Sequence, residues 1–228
     1  MAIAFAKFAD EASRQFSHLY ATYRYAPLVL TPLGLGLLVA ITRRYFPAAR
    51  GSGIPQIIAG ADDPKHAIQT GLISMTTALF KMAATVLALC IGASVGREGP
   101  TVQISAAIMA FAHRLLRIEL STAVVIAGGA AGVSAAFNTP LAGVAFAIEE
   151  LAASYHQRLA LLAMASVMIS GLVSLGLAGD YVYFGAVHET LSLKDSLLIA
   201  PVAGVIGGAA GGIFSLAALK FGTTNMKY

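Results

Sequence analysis

Long apolar runs interrupted by a few short polar clusters dominate this chain, a pattern that predicts membrane-spanning helices and not the alternating faces of a soluble fold. Residues 1–25 are the exception. There Phe5, Phe8, Ala12 and Phe16 recur near helical spacing among Lys7, Asp10, Glu11 and Arg14, which predicts an amphipathic helix too polar to span. The first spanning candidate runs from Pro27 to about Phe46, carries no charge before Arg43, and has close to the ~20 residues a bilayer needs. A second covers 69–95 and ends in the small residues Gly92, Ala93 and Ser94. Between Glu119 and Glu149 lie 29 uncharged residues divided by Gly128, Gly129, Gly132, Asn138, Pro140 and Gly143. Two short helices fit that stretch better than one, with Asn138 as a cap and Pro140 just inside the second. Leu159–Gly179 and Ser196–Leu219 supply two more spans, separated by a link holding Asp180, His188, Glu189, Lys194 and Asp195. In the last span Gly204, Gly208 and Gly212 share a face, with Gly207 and Gly211 alongside, a pattern suited to close helix packing.

Composition narrows the class. With 57% hydrophobic and 11% charged residues among 228, the chain has about half the charge of an ordinary soluble domain and could not cover such a domain's surface. The net charge of +4 is small, and no basic run is interleaved with aromatics, so nucleic acid is not an expected partner. Cys90 is the single cysteine, which excludes an internal disulfide and a multi-cysteine metal site and reads as a small buried hydrophobe. No metal or other cofactor is expected. Arg43, Arg44 and Arg50 crowd the end of the first span and mark it as cytoplasmic by the positive-inside rule. The N-terminus lacks the compact basic region and uninterrupted apolar core of a signal peptide.

Candidate chemistry begins with Gly96-Arg97-Glu98-Gly99-Pro100. From Ala67 to His113 the only formally charged residues are Lys81, Arg97 and Glu98. Even the lower insertion scales put a central charge at roughly 2.5–3.5 kcal/mol, so such residues point to function. Gly99, Pro100 and Thr101 can open a helix through Gln103, Ile104 and Met109, leaving Glu98 at a junction where backbone amides lie unpaired. A membrane segment broken there, with half-helix N-termini directed inward, is how transporters hold anionic substrates. The competing reading is a structural Arg97–Glu98 ion pair or an interfacial loop. A second site candidate is Gly51-Ser52-Gly53-Ile54-Pro55, where Ser52 reads as the N-cap of a short helix and Pro55 falls in its first turn; an ordinary glycine-rich turn is the alternative. The third is Ala135–Gly143 followed by Glu149-Glu150, either the solvated end of a span or a proton relay.

These three motifs, in this order, resemble those of the CLC family of chloride channels and proton-coupled chloride transporters. The resemblance implies an all-α integral membrane fold of multiple tilted and broken transmembrane helices, in which this chain is one half of an inverted-repeat architecture. Residues 1–25 would be an N-terminal amphipathic segment and 26–228 a partial transmembrane domain, the second repeat largely absent. It implies chloride binding at Ser52, Gly53, Ile54 and Pro55, with the Ser52 hydroxyl as the central ligand. It makes Glu98 the gating glutamate, which competes with chloride and accepts a proton from outside, and Glu150 the inner proton acceptor. Gly96, Arg97, Gly99, Pro100, Lys81 and Glu149 would support them. The implied function is proton-coupled chloride antiport, with a voltage- or proton-gated chloride channel or a transport-inactive fragment as alternatives. The partners implied are chloride, protons, membrane lipid and, in the complete protein, a second copy, in a bacterial-type inner or plasma membrane. The chain departs from the family at Gln56, where a glutamate is frequent, and Gly212-Ile213-Phe214-Ser215-Leu216 lacks the proline of a later motif. An enzyme is not expected: Gly132-Val133-Ser134 offers a nucleophile, but no histidine falls in the apolar core beside Ser134.

Overall fold

The computed structural model describes residues 1–151, 157–179 and 192–225, with side chains described outside 150–160 and 222–228. Among the described residues every regular element is helical. The chain divides into a unit spanning Met1–Tyr183 and one spanning Phe184–Tyr228.

In the first unit, α1 (Ala2–Thr22) buries Phe5, Ala9 and Ala12. The buried stripe is thus Phe5-Ala9-Ala12 at i, i+4 and i+7, and Phe8 lies off it at 60% exposure, one position from where the aromatic spacing put it. The helix packs against α5 (Met75–Cys90). Its Phe16 ring covers Gly92, whose φ of +88° and lack of a side chain make room for that ring. Helix α2 (Pro27–Tyr45) stops one residue short of the expected end and buries no residue. Arg43 and Arg44 occupy its last turn, where cations complement the helix dipole.

A short 3₁₀ turn (Pro47–Ala49), α3 (Ile54–Asp62) and α4 (Pro64–Gln69) follow. The span expected over 69–95 is corrected here. Gln69 ends α4, Gly71 turns the chain at φ +74°, and the helix begins only after Ser74, whose hydroxyl caps Thr77 N–H at 3.1 Å. Helix α5 therefore has 16 residues. At about 1.5 Å per residue it is shorter than the ~30 Å hydrocarbon layer.

The core is built from α6 (Glu98–Leu115), α7 (Thr122–Phe137) and α9 (Gln157–Ala178). Lipid tails are as apolar as the side chains, so helices in a membrane associate through close packing and interhelical hydrogen bonds. Helix α7 uses both. On one side a methyl group at Gly132 would lie 2.9 Å from the Thr101 carbonyl oxygen of α6. On the other side Ser170 and Ser174 of α9 donate to the carbonyls of Ala131 at 2.7 Å and Ala135 at 3.1 Å. Ser134 returns a bond to Val167 at 3.0 Å. Helix α8 (Pro140–Phe146) wedges Gly143 against the Ala130 carbonyl and runs into a π-helical turn, Ala147–Leu151.

The second unit contains α10 (Leu193–Asn225), a 33-residue helix begun by Ser192, whose hydroxyl accepts from Asp195 N–H at 3.2 Å. Within that unit nothing packs on Gly204, Gly207, Gly208, Gly211 or Gly212. Three helical stretches among the described residues are long and apolar enough to cross a membrane: Pro27–Tyr45, Leu161–Ala178 and Leu193–Phe221. The all-α membrane architecture with broken helices is the one the sequence predicted.

Candidate functional site

Two helix N-termini meet backbone to backbone. Gly53 is the residue that starts α3, at φ +118° and ψ −30°, a conformation that side chains rarely tolerate. This corrects the assignment of the cap to Ser52. The chain needs glycine's freedom to make the turn, and Ser52 stands one position before it with no capping bond from its side chain. A methyl group at Gly53 would lie 2.5 Å from the Gly99 carbonyl oxygen, and one at Gly99 would lie 2.6 Å from that of Ser52. The glycines of the first and second motifs therefore exist for each other. Each removes the atom that would hold the other helix away.

Around this contact the second motif is laid out as the sequence predicted for a helix start. Arg97 precedes α6, Glu98 is its first residue, and Gly99 and Pro100 are buried in its first turn. A carboxylate in that turn is favoured by the unpaired amides and the positive end of the dipole. The Glu98 carboxyl folds back over Gly96, leaving no room for a side chain there. Lys81 comes from the middle of α5, is 4% exposed, and donates through Nζ to the Gly51 carbonyl at 3.1 Å. A cavity of about 750 Å³ joins these pieces, bordered by Ser52, Ile54, Lys81, Glu98, Gly99 and Pro100, with Leu38 and Arg43 of α2 across from them. Pro55 sits beside Ile54 in the first turn of α3. Phe80, next to Lys81, stacks on Phe46 with ring centroids 3.9 Å apart and pins the approach to the 3₁₀ turn.

Arg97 has a partner that the sequence reading did not find. Its Nη1 donates to Asp10 Oδ1 at 2.7 Å and to the Ala6 carbonyl at 3.2 Å, both on α1. The amphipathic pattern marked α1 only as too polar to span, and nothing in the local sequence links residues so far apart. A second missed residue is Gln103, wholly buried in α6, which donates to the Leu72 carbonyl at 2.8 Å and holds the turn before α5 against the site. A fully polar side chain inside an otherwise apolar helix was the available signal. Gln56, noted as a departure, folds its amide back onto the Arg50 carbonyl and closes the loop that carries Ser52.

The third motif lies apart from this cavity's lining. Asn138 closes α7 in the left-handed region at φ +56°, and Thr139, not Asn138, precedes Pro140 at the start of α8. Asn138 is thus a cap at the end of one helix, where its short side chain tolerates that conformation. Glu149 is exposed on the π-helical turn. The backbone of Glu150 follows in the same turn, and its side chain falls outside the described residues, as do Asp180, His188 and Glu189 of the polar link. Ser134 is completely buried and its hydroxyl is bound to the Val167 carbonyl, which gives it a packing role.

Broken apolar helices whose N-termini converge on a charged cavity define a polytopic membrane protein built around a polar cavity. Residues 34–227 match the family model described as voltage gated chloride channel. The chain belongs to that family. It is 31% identical over 243 residues to the H(+)/Cl(−) exchange transporter ClcA of Yersinia pseudotuberculosis serotype IB (strain PB1/+), covering 99% of this chain and 48% of that protein. It is 34% identical over 196 residues to the protein of the same name from Yersinia pestis bv. Antiqua (strain Angola), covering 82% of this chain and 38% of that one. The chain spans about half the length of the curated relatives it matches.

Proposed function

We propose that this chain carries the chloride- and proton-handling half of a proton-coupled chloride antiporter of a bacterial inner membrane. The observation that carries the reading is the glycine-to-glycine meeting of α3 and α6, which aims two helix N-termini at a cavity bordered by Ser52, Lys81 and Glu98. A dehydrated anion in such a place is held by the Ser52 hydroxyl, the first amides of α3 from Gly53 and Ile54, and two dipole ends. No full charge need touch it, so it is bound weakly enough to leave. Glu98 is the gating glutamate. Ionised, its carboxylate takes the place of chloride at the α6 terminus; protonated, it withdraws, and one group thereby links the two movements. Gly96 gives that carboxyl space, and Arg97, Gly99 and Pro100 fix the backbone that carries it. Glu150 is the inner proton acceptor, with Glu149 beside it, and the complete protein works as a homodimer.

The test uses vesicles containing this chain joined to a CLC-type second half, with a chloride electrode and a pH probe. Glu98→Ala is expected to keep anion flux and to lose proton movement driven uphill by a chloride gradient. Uphill proton pumping that survives Glu98→Ala would overturn the assignment.

A further inference from the structure

The loop that brings Ser52 to the cavity has little to hold it from within. Gly51 and Gly53 both sit at positive φ, +69° and +118°, Gly51 and Ser52 are exposed, and the stretch from Arg50 to Gly53 belongs to no helix. Its carbonyls, and that of Ala48 before it, are instead taken by side chains from the surrounding helices. Gln103 of α6 reaches the Ala48 carbonyl at 3.5 Å while donating to Leu72 at 2.8 Å. Gln56 of α3 donates to Arg50, and Lys81 of α5 donates to Gly51 at 3.1 Å. Three helices thus grip one loop through three donors.

The two glutamines show which end of the carboxamide matters. Each has a donor end and an acceptor end. Gln103 is 0% exposed, and its Oε1, like that of Gln56, is buried without a hydrogen-bond partner among the described residues. A buried acceptor left unmade is costly, and it is tolerated where the other end of the group is indispensable. Both amide nitrogens go to the same short stretch, on either side of Ala49. Gln103 also lies beside the glycine meeting, since a methyl group at Gly53 would be 3.2 Å from its Cβ.

We infer that Gln56 and Gln103 are positioning residues for the anion: their amide N–H groups clamp the Ala48 and Arg50 carbonyls and so hold the Ser52 hydroxyl in register with the start of α6. The inference rests on the proposed chloride role of Ser52 and adds what fixes it in place. Position 56 then needs a donor, which a carboxylate cannot supply. An ionised glutamate has acceptors only, and would set a negative charge against the Arg50 carbonyl and close to the anion. The charged groups around the loop are Arg43, Arg50, Lys81 and Glu98. Asp62, at the other end of α3, borders a separate cavity with Asp63, Lys65 and Glu119.

The test measures chloride affinity by calorimetry on the same two-half transporter in a Glu98→Ala background, which removes the carboxylate lining the cavity. Gln56→Glu keeps the shape of the side chain and exchanges its donor for an acceptor, and only when protonated can it donate again. At about pH 8 it should bind chloride about tenfold more weakly than the parent, the upper range of what one hydrogen bond contributes. On acidification to about pH 4 it should recover to near the parent's affinity, while the parent stays level. Gln56→Met, never a donor, should stay weak throughout. On α6, Gln103→Met should weaken binding by a similar factor. The half-buried Gln56 carries the decisive comparison, so the outcome does not depend on whether the fully buried Gln103→Met folds. A Gln56→Glu that binds like the parent at about pH 8, or that stays weak on acidification, would overturn the clamp. Folded Gln103→Met at the parent's affinity would do the same. A parent that binds no chloride at any pH would instead withdraw the chloride site beneath it.

Discussion

Gly53 and Gly99 concentrate the fold's tightest requirement in two missing methyl groups. Gly53→Ala must accept a side chain at φ +118° and push it to within 2.5 Å of a carbonyl oxygen. Backbone strain of that kind costs on the order of 1–3 kcal/mol before any clash is counted. Loss of thermal stability and of chloride binding together is the expected result, read by a melting curve with and without chloride. Gly36, where no atom lies within 4 Å of the position a methyl group would take, is the control and should tolerate alanine. Lys81 is a different kind of residue. Its ammonium is buried beside the larger cavity and bound to Gly51, so Lys81→Met removes both a positive potential and a tie on the Ser52 loop. Chloride affinity should fall about tenfold by calorimetry on the two-half protein, and an unchanged affinity would exclude Lys81 from the site's electrostatics. At this scale the motifs were legible because glycine and proline are conspicuous in an apolar chain. Their mutual contact was not, because a close approach between distant glycines leaves no local pattern.

Helices show the complementary lesson. Apolar length announced α2 and α9 to within a few residues, since hydrocarbon thickness alone sets the requirement. The same criterion overran α5 by joining it to the end of α4 and the turn at Gly71, where continuity of apolar residues conceals a change of direction. Asn138 was recognised as a cap and assigned to the wrong helix, because the same residue suits either end and only its φ decides. The pairing of α7 with α9 rests on Ser134 of α7 and on Ser170 and Ser174, one turn apart on α9, each hydroxyl bonded to a carbonyl of the opposite helix. Such bonds average about 0.6 kcal/mol in membrane proteins. Ser170→Ala with Ser174→Ala should therefore lower stability by roughly 1 kcal/mol in a mixed-detergent unfolding titration. Replacing Gly132 by Leu should do far more, because the Thr101 carbonyl lies 2.9 Å from the first atom added.

Among the described residues, large apolar side chains lie exposed along whole helices. Helix α2 buries none of its 19 residues, and the sequence matches relatives over about half their length. Polar groups and bare backbone at membrane depth are tolerated only when protein or a water-filled cavity covers them. The 228-residue chain alone is accordingly expected to give no selective chloride efflux from liposomes, while the chain joined to a second half does. Robust efflux from the short chain would mean that its own residues complete the ion cage. The family was legible from three motifs; the cavity was not, since it is bounded by separate stretches that only the folded chain brings side by side.

The bond between Arg97 and Asp10 also orders events during synthesis. Helix α1 precedes its partner in the chain and, with Lys7, Asp10, Glu11 and Arg14 along it, is too polar to span a bilayer by itself. Its partner cation emerges 87 residues later. Asp10 therefore gains that partner only once the start of α6 has been made. The start of α6 and helix α1 are thus fixed to each other late, and a displaced α1 would be felt at Arg97 and at Glu98 beside it.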